Sequence, residues 1–480
     1  MDRQLDRSNC ACIVHPSVQN NLLAPAGLLA DLFGMSDTPS RNSASDIESV
    51  QPRLQEAARS GLLLINISGV DRPGITRAIT EVLSHYSVQI LDMGQSVIHE
   101  TLSLGILIRI PPEQQGAPVL KDLLFRAHDF GIPINFTPVD QESYDRWVGH
   151  GGLPRYIVTL LGRDLRAAHV HQVTRIIAEQ GLNINSIRRL SRRIPGYELA
   201  DLDQSLEPEK PVEGSRRRPP VCLEFQVSGA DVDFARLKET LLSATSELGV
   251  DIAFQKDDLY RRNRRLIAFD MDSTLIQAEV IDELAREAGV GEEVSRITES
   301  AMRGEIDFNE SFKRRVGLLK GMSTEFLQGI YDRLPVTEGA PHLIKVLKSM
   351  GYKTVILSGG FTFFGERLRQ HLGMDYIFAN ELVIQDGQVT GEVQEPIVNG
   401  QRKAQLLGEI AEKEGVRKEQ VIAVGDGAND LPMLGMAGLG IAFRAKPVVR
   451  KEADQSISNL GLDAILYLLG YRHEDFPAEL

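Results

Sequence analysis

Arg265-Leu266-Ile267-Ala268-Phe269-Asp270-Met271-Asp272-Ser273-Thr274-Leu275 joins an apolar run to two carboxylates that stand one residue apart. A short apolar run bounded by polar residues reads as a buried strand. Open α/β sheets place their sites at the carboxyl ends of such strands. Asp270 and Asp272 therefore fall where two carboxylates can reach one phosphoryl group, one attacking phosphorus and the other handling protons. On its own, an acidic pair at a strand end is weak evidence and fits an ordinary loop as well.

Working outward, three later segments fit the same site. Val355-Ile356-Leu357-Ser358-Gly359-Gly360 is a second buried strand, ending in a hydroxyl and flexible backbone suited to phosphate oxygens through Ser358 and the Gly359 N–H. Lys403, read as lying just before a helix over Ala404 to Ala411, can neutralise a phosphate as a point charge. Val421 to Gly425 is a third strand, followed by Asp426-Gly427-Ala428-Asn429-Asp430, whose carboxylates suit a hard, oxygen-seeking cation such as Mg²⁺. Between Thr274 and Thr337 runs a helix-rich stretch that reads as a cap, able to close the site against water.

This ordered set, over residues 263 to 472, resembles the haloacid-dehalogenase superfamily of phosphotransferases. The resemblance implies a Rossmann-like parallel sheet with a helical cap at about 277–337. It implies Asp270 as nucleophile and Asp272 as general acid and then base. It also implies Mg²⁺ held by the Asp270 carboxylate, the Asp272 backbone carbonyl and Asp426, with Asp430 as an outer ligand or support behind it. Asp-Met-Asp-Ser-Thr, with its second Asp, points to phosphomonoester hydrolysis, because only a leaving alkoxide needs that proton.

Asp270 to Ile276, then Glu279-Val280-Ile281-Asp282-Glu283, with Phe308, Arg314-Arg315-Val316 and Ser358-Gly359-Gly360-Phe361, narrow the resemblance to the phosphoserine phosphatase family. That resemblance puts Glu279 on a substrate ammonium, Arg315 on its carboxylate, Phe308 and Met302 in an apolar wall, and Asn429 near the phosphate. The chemistry agrees, since a zwitterion needs one anion and one cation, and the Arg fork binds a carboxylate bidentately. Two other readings stand beside it: a related phosphotransferase acting on another small alcohol, and an amino-acid sensor whose phosphatase half is only a scaffold. The intact set Asp270, Asp272, Lys403 and Asp426 opposes the scaffold. Asp386-Gly387 reads as a hairpin turn with a structural role only.

The amino-terminal half is built on a repeat. Leu62 to Ile67 is a buried strand, Ile75 to Leu83 carries apolar residues at helical spacing, and Leu102 to Ile110 alternate as a half-buried strand should. With a strand at Val88 to Met93, a helix near Val119 to Phe130 and a strand at Ile134 to Pro138, the order is β-α-β-β-α-β, the split ferredoxin-like unit. Gly69 and Gly162, and Ile90 and Ile184, stand at the same offset to within one residue, so the unit occurs twice. A charged, Pro-containing insert from about Pro195 to Pro220 interrupts the second copy and reads as a mobile loop.

Such a unit with Asp71-Arg72-Pro73-Gly74 after its first strand resembles the ACT domain, a regulatory module that binds amino acids. The resemblance implies an effector site at Asp71, Arg72 and Gly74, L-serine as the natural effector, and homo-oligomers formed through these domains. The second copy keeps Asp164 but has Leu165-Arg166-Ala167 instead. The expected organisation is a flexible extension at 1–58, ACT-like units at 60–142 and 153–258, and the phosphatase at 263–472.

Of the 480 residues, 42% are hydrophobic and 25% charged, enough to bury real cores. A net charge of -13 opposes general nucleic-acid binding. The basic runs Arg216 to Arg218 and Arg261 to Arg265 read as a solvated linker and a domain edge. Three cysteines, Cys10, Cys12 and Cys222, are too few for a disulfide framework, and no run reaches the ~20 apolar residues of a membrane span. The expectation is a cytoplasmic enzyme.

Overall fold

The computed structural model describes residues 61–111, 118–195, 219–303 and 305–477, with the Met302 side chain excepted. The chain divides into two units, 1–151 and 152–480. The amino-terminal extension with Cys10 and Cys12, the Arg216 to Arg218 run and most of the Pro195 to Pro220 insert fall outside the described residues.

In the first unit, β1 (Leu62–Val70), α1 (Ile75–Ser84), β2 (Gln89–Ile98), β3 (Thr101–Arg109), α2 (Pro118–Asp129) and β4 (Ile134–Val139) follow the expected order. The antiparallel sheet runs β2-β3-β1-β4. Ile79 of α1 and Leu123 of α2 close over Ile65, Ile106 and Ile108, so the two apolar periods meet in one core. One further helix, α3 (Gln141–His150), was not read from the sequence. It buries no residue and is held by its Asp140 cap, which accepts the Ser143 N–H at 2.7 Å. Tyr144, Trp147 and Val148 stand at i, i+3 and i+4 on it, a stripe of about one turn that is too short to mark a helix by periodicity.

The second unit opens with β5 (Arg155–Gly162), α4 (Ala167–Glu179), β6 (Asn183–Arg189), β7 (Val221–Ser228), α5 (Phe234–Leu248) and β8 (Asp251–Lys256), in sheet order β6-β7-β5-β8. The strand permutation repeats that of the first copy. So does the irregularity of its edge strand, which slips between Ile90 and Asp92 in one copy and between Ile184 and Ser186 in the other.

A six-stranded parallel sheet follows, ordered β11 (Tyr376–Asn380), β10 (Lys353–Phe361), β9 (Leu266–Phe269), β14 (Val421–Gly425), β15 (Leu439–Phe443) and β16 (Gln455–Ile457). Its centre is β9 (Leu266–Phe269). Leu266 and Ala268 pack with Leu406 and Leu407 on one face, while Ile267 and Phe269 pack with Leu284 and Leu347 on the other. Burial on both faces is why the run is continuously apolar. From β9 the chain passes through α6 (Val280–Glu287), α7 (Gly291–Met302), α8 (Phe308–Gly317) and α9 (Glu325–Arg333), the helices of the cap. It returns by α10 (Ala340–Ser349) to β10 (Lys353–Phe361), α11 (Thr362–Leu372) and β11 (Tyr376–Asn380). A hairpin, β12 (Leu382–Gln385) and β13 (Gln388–Val393), turns at Asp386 and Gly387, both at positive φ as an Asp-Gly hairpin turn requires. Then come α12 (Gly400–Lys413), β14 (Val421–Gly425), α13 (Leu431–Met436), β15 (Leu439–Phe443), α14 (Pro447–Glu452), β16 (Gln455–Ile457) and α15 (Ile465–Leu468). The chain moves to opposite sides of β9 for β10 and β14, which opens a crevice at the carboxyl ends of these three strands.

The second copy is fused to this catalytic half. Leu161, Cys222 and Ala253 share a core with Ile465 and Leu468. Buried Asp251 on β8 accepts the Ser458 N–H at 2.8 Å and the Asn459 N–H at 3.0 Å. The Gln455 side-chain amide pairs with both backbone groups of Phe254. The Arg261 to Arg265 run is correspondingly not a solvated edge throughout. Arg261 and Arg264 are buried, and Arg261 pairs with fully enclosed Glu224 at 2.7 Å while donating to the Leu468 carbonyl. The Arg261 partner was not legible in the sequence because Glu224 comes from a distant strand.

Candidate active site

Asp270 stands at the end of β9, where its N–H donates to the Val424 carbonyl of β14 at 2.9 Å. Its carboxylate accepts the Met271 N–H at 2.7 Å. The chain then makes one wide turn over Met271–Leu275, with Ser273 in the left-handed region at φ 57°. Wide single turns of this kind concentrate at functional sites. The turn brings Asp272 back over the strand end, where its carboxylate accepts the Val280 N–H at 3.2 Å.

Lys403 is fully buried and reaches Asp270 and Asp430, each at 2.8 Å. It lies inside the first turn of α12, not ahead of it. The helix begins at Gly400 because Asn399 caps it, accepting the Arg402 N–H at 3.0 Å. Burial opposes the charge on Lys403, but Asp270 and Asp430 outweigh it and raise its pKa.

Oxygens of Asp270, Asp426 and Asp430 lie within 4.8 Å of one another. Burial, then Asp430, raises the Asp270 pKa well above the ordinary carboxylate range against the pull of Lys403. Burial, then Asp430 and Glu279, pushes Asp426 up to about 7. Burial, then Glu279, raises Asp272 as well. Three converging carboxylates exceed what one lysine can neutralise, and hard oxygen donors so placed fit a small divalent cation.

The remaining predicted residues line one pocket of about 670 Å³ with Asp270, Asp272 and Asp426: Glu279, Phe308, Arg315, Gly359 and Asn429. Glu279 begins α6 without capping it, and its carboxylate instead accepts the Ser273 hydroxyl at 2.7 Å. The Arg315 Nε is buried and has no hydrogen-bond partner. Phe308 stacks on Phe312 with ring centroids 6.0 Å apart. A Cβ on Gly359 would approach the Phe308 ring to 3.2 Å, so the cap rests directly on the β10 end. Ser358 is fully buried and does not line the pocket; its Oγ accepts the Gly360 N–H at 2.8 Å. Met302 closes α7, and its side chain lies outside the described residues.

Several contributors were missed in the sequence. A Cβ at Gly360 would fall 2.6 Å from an Asp272 carboxylate oxygen, and one at Gly425 would fall 2.5 Å from that of Asp430. Both glycines are therefore needed for close approach. Asp282, one turn beyond Glu279, is the carboxylate that acts most strongly on Arg315, and Lys446, Val448 and Val449 add a wall from α14 and its start. The i, i+3 spacing of Glu279 and Asp282 was a usable signal; the α14 residues offered none.

Fold and site together define a haloacid dehalogenase-like hydrolase, and the model of that family matches residues 264–438. ACT-domain models match residues 61–137 and 155–200. A phosphoserine phosphatase of Mycobacterium tuberculosis is 38% identical over 417 residues, covering 87% of this chain and 95% of that one. A phosphoserine phosphatase of Methanocaldococcus jannaschii is 45% identical over 205 residues, 43% of this chain and 97% of that one. The crystal structure of a probable phosphoserine phosphatase from Vibrio cholerae, 32% identical, superposes with a TM-score of 0.51 over 66% of this chain and 86% of that one. The chain belongs to the phosphoserine phosphatase family, with two ACT domains ahead of its catalytic half.

Proposed function

We propose that the chain hydrolyses O-phospho-L-serine to L-serine and phosphate. Arg315 carries the reading: a guanidinium whose buried Nε lacks any partner, in the same pocket as Glu279 and the Asp270–Asp272 pair. The pocket thus offers a cation and an anion for the two ends of an amino acid beside a phosphate site. An Asp270 oxygen attacks phosphorus and forms the aspartyl-phosphate. Asp272 gives its proton to the departing serine oxygen and then takes one from the water that cleaves the intermediate. Lys403 steadies the charge on Asp270 and the phosphoryl oxygens, and Asn429 lies at the phosphate end. Ser358 fixes the Gly359-Gly360 backbone through its bond to the Gly360 amide. Mg²⁺ is the cation proposed for Asp270, the Asp272 carbonyl and Asp426, with Asp430 behind them, where it would neutralise phosphoryl oxygens.

The test compares substrates. Arg315→Ala is expected to lose about 2–5 kcal/mol in kcat/KM for phosphoserine, the range for stripping one partner from a buried charge pair. The loss on phosphoethanolamine, which lacks the carboxylate, is expected to be much smaller. Equal losses on both would show a cap defect and remove the substrate assignment.

The effector proposal rests on the first unit. Asp71, Arg72 and Gly74 are exposed ahead of α1, Gly74 sits at φ 98°, and no side chain caps the helix. Its first N–H groups can hold the carboxylate of L-serine. Ile90, Met93 and Val97 are exposed on β2, an edge strand suited to self-association into homo-oligomers. Removing residues 1–151 is expected to leave the catalytic half folded and to abolish inhibition by serine at low concentration. A cut at 258 would instead strip Leu161, Cys222 and Ala253 from the shared core and lower the Tm. Serine inhibition unchanged in the 152–480 fragment would mean product inhibition at the active site. Among the described residues, no helix is long and apolar enough to cross a membrane.

A further inference from the structure

A second cavity, of about 340 Å³, lies where the second ACT copy meets the catalytic half, and its lining shares no residue with the active-site pocket. Phe234, Leu241 and Ile252 furnish an apolar wall from the ACT side, and Leu439 adds to it from β15. Arg264 and Arg450 furnish charge. Arg264 is only 6% exposed; its Nη1 donates to the Glu419 carbonyl, and its Nε has no partner. The Arg450 Nε is likewise buried without a partner, and among the described residues neither guanidinium forms an ion pair.

The two carboxylates in the lining, Asp258 and Asp454, act on Arg264 without an ion pair to it, and four cations of the lining, Lys238, Lys256, Arg264 and Arg450, outnumber them. Asp258 accepts from Tyr260 and Arg261, and Asp454 accepts the Gly440 N–H at 2.8 Å. Of the lysines, Lys238 is spent on the Ala453 carbonyl, and Lys256 lies over the Phe234 ring. What remains is an excess of positive charge, with two orphaned guanidinium Nε groups beside apolar surface, which is the complement of a small anion with an apolar body. Planar, forked donors favour a carboxylate.

One short helix touches both pockets. Arg450 of α14 lines this cavity, while Val448 and Val449 of the same helix line the active-site pocket. A ligand that draws Arg450 inward therefore bears on the wall of the substrate site.

We propose that this cavity binds a small carboxylate carrying an apolar group, and that its occupancy is transmitted through α14 to the active site. The site is distinct from the Asp71 to Gly74 turn; its binding does not depend on the identity of the phosphatase substrate, while the coupling to the active site rests on the phosphoserine reading. The probe is 3-phenylpropanoate, titrated calorimetrically into the full-length chain, with phenethylamine as the match lacking the anion. Saturable binding of the acid but not the amine is expected. Arg450→Gln should weaken it by about tenfold or more, as for loss of a charge-assisted hydrogen bond. Leu242→Trp, which fills the cavity without removing charge, should abolish it. Arg315→Ala should leave it intact, separating this site from the substrate pocket. No binding to the full-length chain, binding unchanged in both cavity variants, or binding lost in Arg315→Ala would each overturn the site. At saturation, kcat/KM for phosphoserine should shift at least about twofold, as expected for coupled sites; an unchanged value would overturn the coupling through α14.

Discussion

Asp270→Asn is expected to lower kcat by at least about four orders of magnitude, the scale on which nucleophile substitutions act in enzymes with covalent intermediates. The amide keeps the shape of the group but cannot attack phosphorus, and everything else in the pocket serves that attack. Labelled phosphoserine quenched in acid should leave a protein-bound acyl phosphate in the unaltered chain and none in the variant, with beryllofluoride blocking the signal. Asp272→Asn should behave differently. It retains the nucleophile but slows both formation and breakdown of the intermediate, because the same carboxyl supplies the proton and later removes one. The substitution at Asp270 also deprives buried Lys403 of one of its two carboxylates, each now 2.8 Å away. The melting temperature must therefore be measured beside the activity. Normal turnover by a folded Asp270→Asn chain would eliminate the covalent mechanism.

Removal of divalent metal is expected to be as severe. Asp270, Asp426 and Asp430 crowd their oxygens within 4.8 Å, with one buried lysine against them. A dianionic phosphate entering beside these carboxylates would meet repulsion that Lys403 alone does not cancel. Exhaustive chelation should bring phosphate release to background, Mg²⁺ should restore it, and Ca²⁺ should restore it poorly, because Ca²⁺ accepts looser and larger coordination shells. Asp426→Asn should raise the Mg²⁺ concentration needed for half-maximal activity, and that shift separates a ligand from a merely structural acid. Full activity after complete metal removal would contradict this role.

Much of this molecule is local in origin and was legible as such. The apolar run Leu266 to Phe269 is continuous because both faces of a central parallel strand are covered, and the acids at its end are where such strands place chemistry. The repeat is legible because each copy must solve the same packing problem with the same periods, down to the irregularity in its edge strand. Asp270, Asp272 and Asp426 could be named because each stands just beyond the end of an apolar strand, and Lys403 because it stands at the start of a helix in an ordered set of segments that resembles a known family.

Relations between distant segments were decided only by the tertiary structure. Nothing near Arg261 in sequence announces Glu224 as its partner, and a run of four arginines reads as solvated until packing buries two of them, Arg261 against Glu224 and Arg264 against the Glu419 carbonyl. Helix α3 was invisible because its apolar stripe, Tyr144, Trp147 and Val148, spans only about one turn. The glycines at 360 and 425 revealed their purpose only when the carboxylates they admit were in place. Most of all, periodicity marks which face of an element is buried but not what covers it. The outer face of the second ACT sheet mixes Thr159, Glu224, Asp251 and Gln255 with Leu161, Cys222 and Ala253, a pattern that fits solvent as well as a partner; that it closes on the catalytic half, leaving between them a cavity with two buried guanidinium nitrogens that lack partners, follows from the packing.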